Sequence, residues 1–216
     1  PRRAVPEKLE DAQDEYVARL AAACAAAEPP NFAPPDRQMV AIALRHPALA
    51  DTVDDETGCT LLHLFCRPGP AGTVELEILA QLLDLGADAT IADKAGKTPL
   101  SIVAEAAVAT PPGPTGAVRV PHGGEPAEAA RMIVMQGVPC PAFAQDANPA
   151  AQALVQDLVN QYRRFKSDLW SYAEQGDVRR AQELIAATQH APVDAPDPDL
   201  GINALGFAVL HRQDDM

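Results

Sequence analysis

The sequence of 216 residues predicts an all-α chain of short helices joined by tight turns, and three observations carry that prediction. First, apolar residues recur at helical spacing in segment after segment, as Leu76, Leu79, Leu82 and Leu83 do. Second, Leu82-Leu83-Asp84-Leu85-Gly86-Ala87-Asp88 reads as a helix end, and Asp93-Lys94-Ala95-Gly96-Lys97-Thr98-Pro99-Leu100 as a turn and a new helix start. Gly86 can take the left-handed conformation that stops a helix. Asp93 and Gly96 suit the turn. The Thr98 hydroxyl can cap the next helix, and Pro99 fits its first turn, where an N–H would go unpaired anyway. Third, hydrophobic content is 47% while aromatic content is only 4%. Alanine and leucine must therefore fill the core, as suits helices that pack closely in pairs.

The turn occurs twice. Asp55-Glu56-Thr57-Gly58-Cys59-Thr60-Leu61-Leu62-His63 repeats the Asp-x-x-Gly-x-Thr-x-Leu order, with Leu61 in the proline slot. The two copies, with the Leu-Leu-x-x-Gly-Ala-Asp run between them, resemble joints of the ankyrin repeat family. Units of that family recur at about 33 residues as a turn plus two helices with a Thr-Pro-Leu-His signature. The resemblance implies an ankyrin-type helical-repeat solenoid of stacked helix-turn-helix pairs. It is strongest between Asp54 and Ala104 and weaker elsewhere.

In chain order, Pro6 to Ala27 reads as one amphipathic helix, with Leu9, Ala12, Tyr16, Leu20 and Cys24 on its apolar face. Glu28 to Pro35 breaks it with four prolines, and Asp36 caps a second helix carrying Met39, Val40, Ile42 and Ala43. Residues 1–53 are thus expected to form divergent N-terminal capping helices, since an end unit needs one wet face. Residues 54–138 hold two clear repeats. The first has helices Leu61 to Cys66 and Val74 to Leu85. The second has Leu100 to Ala107 and Glu125 to Gln136, with Ala129, Met132, Ile133 and Val134 inward. Between the latter two helices lies a long Pro/Gly-rich insertion, residues 108–125, with no helical period.

Residues 139–216 begin irregularly, and Pro149 then starts a long helix through about Phe165, expected to break near Lys166 and Ser167. Asp168 to Asp177 resembles the opening of a first ankyrin repeat. Val178 to Ala187 would be its partner helix, with Ala181, Leu184 and Ile185 buried. Val193-Asp194-Ala195 resembles a repeat exit, and Phe207 to Leu210 starts a last, truncated unit. A grouping into two short arrays joined by the helix after Pro149 stays open. The missing initial methionine and the cut-off last unit suggest a piece of a longer protein.

Composition excludes several classes. A net charge of -13 argues against nucleic acid, whose phosphates require clustered positive charge. No apolar run reaches the roughly 18 residues of a membrane span. The four cysteines, Cys24, Cys59, Cys66 and Cys140, form no C-x-x-C pair, and no histidine cluster has zinc spacing. Reduced thiols in a cytoplasmic protein are the expectation. The glycines at 113, 116, 123 and 124 lack the Lys-Ser/Thr of a phosphate loop, and Asp194, Asp197 and Asp199 lack the Gly and Glu of a calcium loop. No cofactor or metal is implied.

His63 falls at the signature histidine, and the resemblance implies a structural role, tying neighbouring repeats by hydrogen bonds. Cys59 lies four residues before it, so a thiolate–imidazole pair is the catalytic alternative, but nothing supplies an orienting acid or oxyanion hole. The family's concave surface of turn tips and first-helix faces implies partner-binding positions. These are Glu56, Thr57, Cys59 and Arg67 in the first repeat; Lys94, Ala95, Lys97 and Glu105 in the second; and Asp199, Leu200, Ile202 and His211 in the last. The expected function is a non-catalytic protein–protein interaction module, a scaffold or adaptor in a larger complex. The alternative is an accessory domain of a longer enzyme or secreted bacterial effector.

Overall fold

The computed structural model describes residues 8–26, 37–69, 72–109, 126–138, 148–188 and 203–210. Within them the chain is all-α, without a strand. Its helices are α1 (Leu9–Ala26), α2 (Arg37–Arg45), α3 (Leu61–Cys66), α4 (Leu76–Asp84), α5 (Pro99–Ala109), α6 (Pro126–Met135), α7 (Pro149–Gln175), α8 (Val178–Ala187) and α9 (Ala204–Leu210). Several sequence expectations lie outside the described residues. They are the Asp36 cap, the insertion beyond Ala109, the irregular stretch at 139–147, the Val193-Asp194-Ala195 exit, and Asp199, Leu200, Ile202 and His211.

Neighbours in sequence pack as pairs, α1 with α2, α3 with α4 and α5 with α6. The pairs then stack in order, for α1, α3 and α5 touch in one row and α2, α4 and α6 in another. Helix α7 closes the stack by lying on both α5 and α6. A single apolar core runs through these layers. It takes Tyr16 and Leu20 from α1, Met39 and Ile42 from α2, Leu79 and Leu82 from α4, Leu100 from α5 and Ile133 from α6. Burying one such leucine contributes about 1.5–3 kcal/mol. Leu9 departs from the expected face: it is 52% exposed, at the first residue of α1.

Helix α4 starts at Leu76, two residues later than its apolar spacing suggested, with Val74 buried just before it. Its end follows the sequence signal. Gly86 has φ +91°, its N–H donates to the Leu83 carbonyl, and the Ala87 N–H returns to the Leu82 carbonyl at 3.0 Å.

The expected break at Lys166 and Ser167 is not there. Helix α7 runs unbroken from Pro149 to Gln175 because its apolar stripe does not pause: Val155, Leu158, Val159, Tyr162, Phe165, Leu169 and Ala173 are all buried. Lys166 contributes to continuity, its ammonium lying over the rings of Tyr162 (5.6 Å) and Trp170 (4.6 Å), one turn to either side. Asp168 to Gln175 is therefore the end of α7 and not a separate helix. Gly176, at φ 69°, ends it, and the Asp177 carboxylate caps α8 by accepting the Arg180 N–H. The first half of α7 belongs to the main core. Phe165, Leu169 and Ala173 form a second, smaller core with Ala181 of α8 and Ala204 and Ala208 of α9. Leu184 and Ile185, expected to be buried, are only half-covered at its edge.

Candidate interaction surface

Each of the two turns is organised by an aspartate that gathers backbone donors. In the second turn, Asp93 Oδ1 accepts the N–H groups of Ala95 (2.9 Å) and Lys97 (2.8 Å), and the Asp93 N–H donates to the Lys97 carbonyl. In the first turn the organising residue is Asp54. Its Oδ2 accepts the Thr57 N–H (2.8 Å) and hydroxyl (2.6 Å), while its own N–H donates to the Cys59 carbonyl. Asp55, which the sequence order sets against Asp93, stands exposed beside it. The first turn thus carries one residue more than the second between the aspartate and the Thr cap.

The two turns lie against each other. The Lys94 N–H donates to the Thr57 carbonyl at 2.9 Å, and the Lys94 ammonium donates to the Asp55 carbonyl. Gly58 is required at this approach. At φ +76° it is in the left-handed region, and a Cβ there would meet the Lys94 nitrogen at 2.8 Å. Further along the same joint, the Asp88 N–H donates to Asp51 Oδ1 at 2.7 Å.

His63 fastens the joint from inside. The Thr60 N–H can only donate, so Nδ1 of His63, 3.1 Å away, is an acceptor, and it also accepts the Thr60 hydroxyl at 2.8 Å. The ring proton is therefore on Nε2, which donates to the Lys97 carbonyl at 3.1 Å. The imidazole is fully buried, and burial lowers its pKa. Both nitrogens being engaged, no Cys59–His63 dyad is assembled. The sulfur of Cys59 instead accepts a hydrogen bond from Arg67 Nη2 at 3.4 Å.

Of the positions expected to meet a partner, Glu56, Lys94 and Ala95 are exposed and adjacent along the paired turns. Thr57 and Arg67 are half-buried. Cys59 is corrected: at 1% exposure it faces inward, as part of the main apolar core. Lys97 and Glu105 form an ion pair at 2.6 Å, so their charges satisfy each other along the face of α5. Asp199, Leu200, Ile202 and His211 lie outside the described residues. Sequence reading missed Asp54, whose signal was a second acid directly before Asp55.

Among the described residues no group of three or more His, Cys, Asp or Glu is arranged to hold a metal ion. No helix among them is long and apolar enough to cross a membrane. No protein-family model matches this chain, and no curated protein matches it either.

Proposed function

We propose that this chain is an ankyrin-type interaction module, a non-catalytic scaffold or adaptor that docks another protein along its paired turns. One observation carries the reading: consecutive turns are held side by side by the Lys94-to-Thr57 and His63-to-Lys97 hydrogen bonds. Directed backbone contacts at that spacing make a preorganised edge, with Glu56, Lys94 and Ala95 exposed along it. A rigid edge loses little entropy on binding, which is what a contact surface needs. Its mixed charge suits a polar partner surface rather than nucleic acid. Among the described residues the free, buried thiols Cys24, Cys59 and Cys66 support a reducing, cytoplasmic setting.

The test is affinity capture from the cells of origin, with the bound proteins weighed by mass spectrometry. A partner recovered at one-to-one stoichiometry by the natural chain should be lost with Glu56→Lys plus Lys94→Glu and retained with Arg131→Glu, an exposed change on α6. Equal loss with both variants would remove the turns from the binding surface.

A further inference from the structure

We infer that α8, α9 and the last turns of α7 form a latch that opens as a unit while the main stack stays folded. The two cores differ in substance. Among the described residues the smaller one buries Phe165 and Leu169 together with four alanines, Ala173, Ala181, Ala204 and Ala208. An alanine brings one methyl to a core where a leucine brings four carbons, so each such side chain stabilises far less. The main core is filled by large, fully buried side chains, among them Tyr16, Met39, Leu61, Leu79, Leu100 and Ile133. The cover over the smaller core is also thin. Leu184 and Ile185 lie half-buried at its edge, and Leu205 and Val209, one turn apart on α9, are 60% and 66% exposed.

Polar contacts repeat the contrast. In the main stack they span layers, as Lys94 to Thr57 and His63 to Lys97 do. In the C-terminal part they run between near neighbours: Arg179 to Glu183 at 3.0 Å, the Thr188 hydroxyl to the Leu184 carbonyl at 2.9 Å, and the Gly206 N–H to Asn203 Oδ1 at 2.9 Å. Bonds within one helix or cap hold that helix without fixing it to α7. The Arg179–Glu183 and Arg180–Asp177 ion pairs lie at the surface and add little. Segments held by so few buried apolar groups open at a lower free energy than the whole molecule does. Gly176, at φ 69°, ends α7 and marks the hinge. Opening about it uncovers Phe165, Leu169 and Ala173, which continue the stripe that Val155, Leu158 and Val159 seat in the main core. The latch thereby governs whether the distal part of α7 shows its apolar face.

The experiment unfolds the natural chain in urea and follows two signals. Trp170 is the only tryptophan and packs against the smaller core, so its fluorescence reports the latch, while far-ultraviolet circular dichroism reports every helix. The expected result is a fluorescence transition at lower urea than the main loss of helix. Native-state hydrogen exchange should show the amides of α8 and α9 exchanging at least about tenfold faster than those of α4 and α5. Ala181→Gly weakens α8 and thins its contact with α7, so it should lower the fluorescence midpoint and leave the main helix step in place. Coincident transitions would overturn the inference, as would Ala181→Gly shifting both midpoints equally. So would α8 and α9 amides exchanging as fast as a free peptide without denaturant, because no closed latch would then exist.

Discussion

His63 and Ser101 occupy the same place in consecutive layers, the third position after a threonine cap, yet they reach different distances. The His63 ring passes through its own turn and arrives at the Lys97 carbonyl of the next one. Ser101 stays at home. Its hydroxyl accepts the Thr98 N–H at 2.9 Å and donates to the Thr98 carbonyl at 2.8 Å, while Thr98 Oγ1 accepts the Ser101 N–H at 3.3 Å. Both arrangements satisfy the opening of a helix. Only the imidazole is long enough to do that and also fix the neighbouring layer. The joint beyond Ser101 is an apolar one among the described residues, with Leu100, Val103 and Ile133 sharing one core with Val155, Leu158 and Val159 of α7. A layered helical chain can thus hold its units by directed polar links or by apolar contact, and this molecule uses one at each side of α5.

The largest expected difference comes from truncating the two residues. His63→Ala strips partners from the buried Thr60 N–H and the Lys97 carbonyl and leaves a cavity, for about 3 kcal/mol in urea unfolding. Ser101→Ala removes only a local cap, about 1 kcal/mol. Equal losses would dissolve the contrast.

The two turn glycines sharpen it next. Gly58→Ala forces a Cβ into the Lys94 backbone and should cost about 2–3 kcal/mol, whereas Gly96, also at φ +76° but with nothing within 4 Å, should lose about 1 kcal/mol as alanine. A thermal melt of the pair suffices.

A third, graded effect is confined to the His63 joint. Its folded-state pKa lies below the ordinary 6.5, so as pH falls the unfolded chain takes up the proton first. Stability is full above that value and declines as pH drops through and below it. His63→Gln should flatten this part of the profile between pH 7.5 and 5, and an unchanged profile would shift the titration to another group. The smallest effect belongs to the Lys97–Glu105 pair. It is partly solvated, and Glu105→Gln should change stability by no more than about 0.5 kcal/mol, less still in high salt.

The contrast also explains what could be read in advance. Helix positions and the Gly86 stop are local signals, and the apolar spacing of α2, α4 and α6 carried them. The break expected at Lys166-Ser167 does not occur, polar as that doublet is. The spacing that matters skips over it, from Phe165 to Leu169. The turns were recognisable, but their register was not: Asp54 rather than Asp55 matches Asp93, a choice made by the one-residue difference in turn length. On the surface, Glu56, Lys94 and Ala95 are exposed. Cys59 is buried in the core, and Lys97 and Glu105 are paired with each other. Contacts such as Lys94 with Thr57 depend on the separation of layers, and no window of sequence encodes that separation.

Helix α7 joins the main core at Tyr162 to the smaller one at Phe165, less than one turn apart on continuous backbone. A 27-residue helix spans about 40 Å. Whatever tilts α8 and α9 therefore turns a stiff beam whose far end rests on α5 and α6, so a load applied at one end is felt at the other without any loop to absorb it.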